Sequence, residues 1–297
     1  MSIAVSKTPL SSPLYVAQAL NAFEDTCVSV RFEEVIGGQV AFEKVMNGSV
    51  DFGTSSDSVI AFQSLAKKSF VTHGMFVHSY NDVKLITRSS DNIGSAIELK
   101  GRRVAVIKGT ASEYFLSILL ALEGLTMEDL AIFYYKPDEL INRFINKEVD
   151  AIVPWEPFAF QSQQLLNNQI KIHDTKNLHT LSFNLISKKA DDLLVEKTQC
   201  ILQGLTTAID YIASHPEKAK IIVMDKLNRS PEFIDWVWSD YVFKLALNQS
   251  LILSIKSQAA WAIANQMSES EELPNVRGFI DSRAMLQVNS AAVNLPL

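Results

Sequence analysis

The chain has 297 residues, of which 47% are hydrophobic and 20% are charged, a mixture typical of a globular rather than a disordered protein. Its 27 lysine and arginine residues against 33 aspartate and glutamate residues give a formal net charge of −6, which argues against nucleic acid as a partner. A chain of this length usually divides into about two domains.

The longest stretch without a charge, residues 8–23, is too short to span a membrane and contains two prolines. The first residues lack the pattern of an export signal, so we expect either a cytoplasmic protein or a mature chain whose signal has been removed. Two cysteines, Cys27 and Cys200, are too few for a disulfide framework, and we expect both to be buried core residues with free thiols, a bridge being the alternative.

Short apolar runs alternate with amphipathic stretches, which predicts an α/β fold in the first half. The predicted strands are 3–6, 28–32, 50–53, 103–107, 131–135 and 149–153, and the predicted helices are 13–23, 39–47, 111–123 and 138–146. Two more strand-like runs, 84–88 and 181–187, are interpreted as crossings between domains. The region after residue 191 is predicted to be entirely helical and to pack on the first domain.

A shift of 99 residues superposes two parts of this pattern. It places residues 45–51 on residues 144–150 and residues 54–57 on residues 153–156. Because one shift serves separate strand–helix junctions, we expect two similarly built α/β lobes. Lobe 1 is predicted to comprise residues 1–87 with 186–297, lobe 2 residues 88–185, and a ligand cleft is expected between them.

Ligands of open α/β sheets bind beyond the carboxyl ends of the strands, where loops lead into helices. Four such junctions are predicted here: 8–13, 53–57, 108–112 and 154–157. In the third junction Gly109 permits a tight turn, and Thr110 and Ser112 offer hydroxyls beside the free N–H groups of the next helix. This pattern is typical of an anion site, and an ordinary helix cap is the alternative.

The fourth junction contributes Trp155, which either contacts a ligand or packs on its own lobe. Asp57 and Glu156, equivalent under the repeat, would favour a cationic group on a ligand, or they stabilise helix first turns. Together with Lys7 and Lys108 they would make the cleft nearly neutral. No catalytic or metal-binding spacing of histidine, cysteine or serine occurs, so we expect neither an enzyme nor a metal or other cofactor.

Five segments, 8–17, 47–53, 99–106, 109–112 and 149–157, resemble the nitrate/sulfonate/taurine-type substrate-binding proteins of ABC importers. The resemblance implies a two-lobed periplasmic binding protein fold of type II, whose lobes close over a small ligand. The family's ligand positions match this chain at Ser11, Ser12, Thr54, Ser55, Ser56, Gly109, Thr110, Ala111, Ser112 and Trp155. Since no arginine lies in the four junctions, a doubly charged anion such as phosphate is not expected.

The predicted function is therefore that of the solute-binding component of an ABC importer, which captures a small organic anion or zwitterion, sulfonate- or taurine-like or nitrate-like. We expect a monomer that presents its ligand to a membrane permease and is periplasmic or exported rather than cytoplasmic. Two alternatives remain open. One is the ligand-sensing module of a signalling protein, and the other is a pyrimidine-precursor binding protein or enzyme, resembling a thiamine-pathway or menaquinone-pathway protein on the same fold.

Overall fold

The structure, a computed structural model, describes residues 1–24, 29–188 and 192–295, and of residues 192 and 193 it describes the backbone only. The chain splits into two compact units. Unit 1 consists of Met1–Ser79 and Leu181–Leu297, and unit 2 of Tyr80–Thr180. These boundaries lie eight and five residues before the expected ones. The long strand that ends at Ser79 pairs with the long strand that begins at Leu181, so both strands belong to unit 1.

The strands of the described residues are β1 (Ser2–Ser6), β2 (Arg31–Val35), β3 (Phe52–Ser56), β4 (Phe70–Ser79), β5 (Ile86–Arg88), β6 (Arg103–Val106), β7 (Ala131–Tyr134), β8 (Ala151–Ile152), β9 (Ile170–Ile172), β10 (Leu181–Lys188), β11 (Tyr241–Asn248) and β12 (Val293–Asn294). The α-helices are α1 (Ser12–Ala19), α2 (Gly38–Met46), α3 (Asp57–Leu65), α4 (Ala111–Leu122), α5 (Leu140–Ile145), α6 (Phe158–Leu166), α7 (Asp192–Ser214), α8 (Pro216–Leu227), α9 (Pro231–Trp238), α10 (Gln249–Ala264) and α11 (Arg283–Val288).

The sheet of unit 1 has the order β12-β11-β4-β10-β3-β1-β2. Strand β1 is parallel to β2 and β3, whereas β10 runs antiparallel to both β3 and β4. Seven of the eight residues of β10 are buried, as expected for a strand covered on both faces.

The sheet of unit 2 has the order β7-β6-β8-β5-β9. Strand β6 is parallel to β7 and β8, and β5 is antiparallel to β8 and β9. The order β5-β8-β6-β7 therefore reproduces the order β10-β3-β1-β2 of unit 1, with the same strand directions. The hydrophobic core of unit 2 includes Ile86, Ala105, Leu140, Phe144 and Ile152.

The repeat appears in the structure as an equivalent bond whose acceptors, Asp51 and Asp150, are 99 residues apart, while the donors, Ser2 and Arg103, are 101 apart. Asp51 Oδ2 accepts a hydrogen bond from the N–H of Ser2 at 2.7 Å, and Asp150 Oδ2 accepts one from the N–H of Arg103 at 2.9 Å. In both units this carboxylate, which precedes one parallel strand, holds the first residue of the neighbouring strand. Helices α1 and α4 also begin 99 residues apart, at Ser12 and at Ala111.

Three sequence expectations are wrong. The C-terminal region is not entirely helical, because β11 pairs antiparallel with β4 in the unit 1 sheet. The first helix ends at Ala19 rather than at residue 23. Cys200 is disulfide-bonded rather than a free thiol, while the other cysteine of the chain, Cys27, and the start of the strand predicted at Val28 lie outside the described residues.

Within the part of the chain that the structure describes, no helix combines the length and the apolar character that a membrane crossing requires.

Candidate functional site

The first junction of unit 1 turns its hydroxyls inward. Ser11 Oγ donates to the carbonyl oxygen of Ser6 at 2.6 Å, Ser12 Oγ donates to that of Pro9, and both side chains are fully buried. Helix α1 has no acidic residue in its first turn and no side-chain cap on its N-terminal N–H groups. The hydroxyls therefore shape the loop, while the first turn at the positive end of the helix contains no carboxylate.

The second junction of unit 1 is built in the same way. Thr54 Oγ1 accepts from the N–H of Ser6 at 2.9 Å and so ties the end of β3 to the end of β1. Ser55 Oγ donates to the Gly38 carbonyl oxygen at 3.3 Å, and Ser56 Oγ caps α3 by accepting from the N–H of Val59. The two predicted junctions of unit 1 are thus joined at the carboxyl ends of adjacent parallel strands.

Asp57, the predicted acidic ligand contact of unit 1, is buried and holds three elements together. Its Oδ1 accepts from the N–H of Ser182 at 3.2 Å, and its Oδ2 accepts from Ser254 Oγ at 2.6 Å and Gln258 Nε2 at 3.0 Å. The carboxylate therefore links the start of α3 to β10 and α10. These bonds favour the structural interpretation of Asp57 over ligand contact.

The third junction, in unit 2, is an N-cap of the ordinary kind. Thr110 Oγ1 accepts from the N–H of Ser112 at 3.3 Å and donates to the Ile107 carbonyl oxygen at 2.7 Å. Gly109 has a φ of +68°, where a side chain would be strained. Ser112 Oγ donates to the Val153 carbonyl oxygen at 2.6 Å and so joins this junction, which continues into Ala111, to the end of β8.

Glu113, which the sequence reasoning missed, is the acidic residue of this junction. It is 1% exposed, its Oε2 accepts from the N–H of Gly109 at 2.8 Å, and its Oε1 accepts from the hydroxyl of Tyr134 at 2.6 Å. Lys108 Nζ lies 5.4 Å from the centroid of the Tyr134 ring. The three-residue spacing from Thr110 to Glu113 is that of a capping box and could have indicated this residue.

Burial governs the protonation of this pair. It raises the pKa of Glu113, while the bonds from Tyr134 and Gly109 and the charge of Lys108 act in the opposite direction. Burial also raises the pKa of the Tyr134 phenol, and the bond to Glu113 adds to this effect because the phenol is the donor. The Tyr134 phenol therefore stays protonated and donates a hydrogen bond to the Glu113 carboxylate.

The fourth junction places Trp155 and Glu156 beside the unit 2 core. Trp155 is partly buried and packs against the core cluster of that unit, so some of its surface is available to a ligand. Glu156 is buried, and its Oε2 accepts from the N–H of Phe160 in the first turn of α6 at 3.0 Å. The peptide bond between Glu156 and Pro157 is cis.

The four charged residues that were predicted to make the cleft nearly neutral have other partners in the structure. Lys7 pairs with Glu34 at 3.1 Å, and Asp57 is bonded inside unit 1. In unit 2, by contrast, Lys108 and Glu113 flank one tyrosine. Among the residues that the structure describes, no three histidine, cysteine, aspartate or glutamate side chains are grouped to hold a metal ion.

The chain belongs to the NMT1/THI5-like family, whose model matches residues 8–219. A protein of Bacillus subtilis strain 168, named for binding aliphatic sulfonates, is 25% identical over 219 residues. The matched region covers 72% of this chain and 66% of that relative, a little under two thirds of its length. The resemblance inferred from the sequence is thereby confirmed.

Solved structures confirm the predicted fold. The alkanesulfonate-binding protein SsuA from Xanthomonas axonopodis pv. citri, bound to MOPS, superposes with a TM-score of 0.80 at 19% identity, over 100% of this chain and 98% of that one. The desulfurization enzyme DSZB superposes with a TM-score of 0.71 at 11% identity, over 98% and 99%. The fold thus occurs both in a binding protein and in an enzyme, so function has to be argued from the site.

Proposed function

We propose that this chain is the solute-binding component of an ABC importer and captures a small sulfonate-like anion or zwitterion. The observation that carries the proposal is that each unit joins two junctions at the carboxyl ends of its parallel strands by a hydroxyl hydrogen bond, through Thr54 to Ser6 and through Ser112 to Val153. The sulfonate-binding name of the Bacillus relative supports the ligand class. A permease that accepts the ligand is the expected partner.

In this proposal the hydroxyls shape the loops, and the ligand is held mainly by backbone N–H groups and by Trp155. The side-chain oxygens of Ser11, Ser12, Thr110 and Ser112 are already bonded to the chain. N–H groups at helix starts are natural donors to an anion.

A periplasmic or exported location is part of the proposal. Disulfides persist in oxidising compartments and are rare in the cytoplasm, and Cys200 is disulfide-bonded. The measurement is maleimide labelling of the unfolded protein, taken from the cell fraction that holds it, with and without a reductant. Labelling that needs no reductant contradicts this location.

We infer that the chain is not an enzyme, although its described residues contain two buried hydroxyl–histidine pairs besides the exposed pair of Ser214 and His215. Ser187 Oγ lies 2.8 Å from His73 Nε2, and Thr87 Oγ1 lies 2.8 Å from His173 Nε2. All four side chains are buried, and burial lowers the pKa of both histidines to about 4. A hydroxyl that no substrate can reach is a strand-to-strand bond rather than a nucleophile. Ligand recovered chemically unchanged, as followed by NMR, is the expected result.

The binding test is a thermal-shift screen with sulfonates, nitrate, amino acids and pyrimidines. A ligand present at about 100 times its dissociation constant stabilises a protein by about 2.7 kcal/mol, a shift that is easily measured. At least one sulfonate is expected to raise the melting temperature. A response to a pyrimidine alone would transfer the proposal to the pyrimidine-precursor alternative.

The Trp155→Ala variant tests the site itself. We expect it to weaken sulfonate binding about tenfold or more while the chain still folds, because the ring is only partly used by the core. Trp236→Ala is the matched control, since that ring is 39% exposed on α9 of unit 1. Equal affinity in the two variants would remove Trp155 from the site.

A further inference from the structure

The starts of α1 and α4, which lie 99 residues apart in the two units, differ in charge. In unit 2 the chain supplies its own carboxylates, since Glu113 accepts from Gly109 before α4 and Glu156 accepts from Phe160 in α6. In unit 1 neither α1 nor α2 has an acidic residue in its first turn or a side-chain cap. Among the described residues, α4 therefore carries a carboxylate at its positive end that the first turn of α1 lacks, whereas α3 of unit 1 and α6 of unit 2 are alike in having one, from Asp57 and Glu156.

Glu113 stands inside the junction that the proposed function assigns to ligand binding. Its Oε2 occupies the Gly109 N–H, a donor that an entering anion would otherwise use. The hydrogen bond from Tyr134 fixes the other oxygen at 2.6 Å, so the carboxylate is held in place rather than free to swing away. A second negative group brought to this turn would meet a buried like charge in a region of low effective dielectric constant.

We propose that Glu113 is a specificity-determining residue: it excludes an anionic group of the ligand from the turn before α4, so that the part of the ligand that reaches this turn is neutral or cationic. This inference rests on the proposed function, and it deepens it by naming the charge pattern of the ligand. Sulfonates with an uncharged or an amino-bearing end are selected over sulfonates that also carry a carboxylate.

The experiment is isothermal titration of the full chain with three small sulfonates of similar size: taurine with an ammonium group, ethanesulfonate with an apolar end, and sulfoacetate with a carboxylate. The wild type is expected to bind sulfoacetate at least tenfold more weakly than the other two. In Glu113→Gln the amide oxygen can still accept from Tyr134, but the charge is gone. We expect the ratio of taurine to sulfoacetate affinity to fall about tenfold.

Glu123→Gln is the matched control, because it removes the same charge from the exposed residue at the other end of α4, about 15 Å along the helix. A change of ratio in Glu113→Gln no larger than in Glu123→Gln overturns the role of Glu113 while leaving the proposed function intact. If the wild type binds none of the three sulfonates, the proposed function and the inference fall together. If Glu113→Gln does not fold, the wild-type ranking decides, and sulfoacetate binding as tight as taurine overturns the inference.

Discussion

The two units share a framework and differ at the starts of their helices. Four strands have the same order and directions in both, and Asp51 and Asp150 make the same bond. Asp57 at the start of α3 and its equivalent Glu156 before α6 both accept bonds within their own unit, whereas Glu113 at the start of α4 has no acidic equivalent in α1. The comparison teaches that framework bonds can repeat while the junctions that would meet a ligand diverge.

Among the substitutions that test this comparison, removal of the Asp57 carboxylate is expected to have the largest effect on stability. Asp57→Ala leaves one backbone N–H and one hydroxyl without their acceptor inside the protein and removes one of the two acceptors of the Gln258 amide, so the free energy of unfolding should fall by about 3–5 kcal/mol. Urea denaturation measures the loss. Asp235→Ala on exposed α9 is the control and should cost less than about 1 kcal/mol. Equal costs would remove the structural role of Asp57.

The pH dependence of stability should be alike in the two units, since each contains one buried histidine bonded to a strand hydroxyl. Burial lowers the pKa of His73 and of His173 from 6.5 to about 4, so the unfolded chain binds more protons between these pH values. Their stabilising contribution is complete above about pH 6.5 and is lost as the pH falls toward 4, up to about 3 kcal/mol for each histidine.

His73→Gln and His173→Gln should each flatten this dependence by one proton, and the double variant by two. Urea denaturation at a series of pH values gives the slopes. If the slope stays as steep in one single variant as in the wild type, that histidine is not a buried neutral group, and the likeness between the units fails there.

The equivalent aspartates, Asp51 and Asp150, should contribute moderately different amounts to the free energy of unfolding. Asp150 accepts from the N–H, Nε and Nη2 of Arg103, and this guanidinium lowers the pKa of Asp150, whereas Asp51 accepts only from the N–H and hydroxyl of Ser2 in its unit. We expect Asp150→Ala to cost about 2 kcal/mol and Asp51→Ala about 1 kcal/mol in chemical denaturation. The reverse order would show that the two bonds are not equivalent parts of one framework.

The smallest expected effect is a gain in stability. Helices α2 and α5 are each followed, at equivalent positions, by a residue in the left-handed region: Gly48 with a φ of +80° and Lys147 with a φ of +59°. Since glycine adopts this conformation without strain, Lys147→Gly should stabilise the protein by about 0.5–1 kcal/mol. The melting temperature measures the gain, and Lys136→Gly, on an exposed residue without positive φ, should give none.

The part of the fold that repeats could be predicted from the sequence, because its strands and helices have clear periods and end at recognisable residues such as Gly48. Strand β4 could not. Nine of its ten residues are buried, so polar and apolar positions do not alternate, and His73 and Gly74 interrupt the apolar run. Strand β11 was hidden within a region of strong helical signals.

The four junctions could be placed in the fold from the sequence, but their hydrogen bonds could not. Loops that follow parallel strands could be placed from the order of elements, yet the partners of Asp57 lie 125 to 201 residues along the chain, and no local pattern indicates them. The sequence also does not say whether a hydroxyl points toward a ligand or toward its own backbone, and at Ser11 and Ser112 it is the backbone. Glu113 was within reach, through its capping-box spacing.

Strand β10 lies between β3 and β4 but follows them in the chain by the whole of unit 2. A ribosome adding about 5–20 residues per second needs roughly 5–20 seconds to make the intervening 101 residues. During that time the edge of β3 and the edge of β4 that β10 later covers have no partner strand. Unit 2 emerges complete within the interval and can fold first, although it comes second in the chain. The nascent chain is therefore most prone to aggregation while unit 2 is being synthesised, and this is the stage at which a chaperone would protect it.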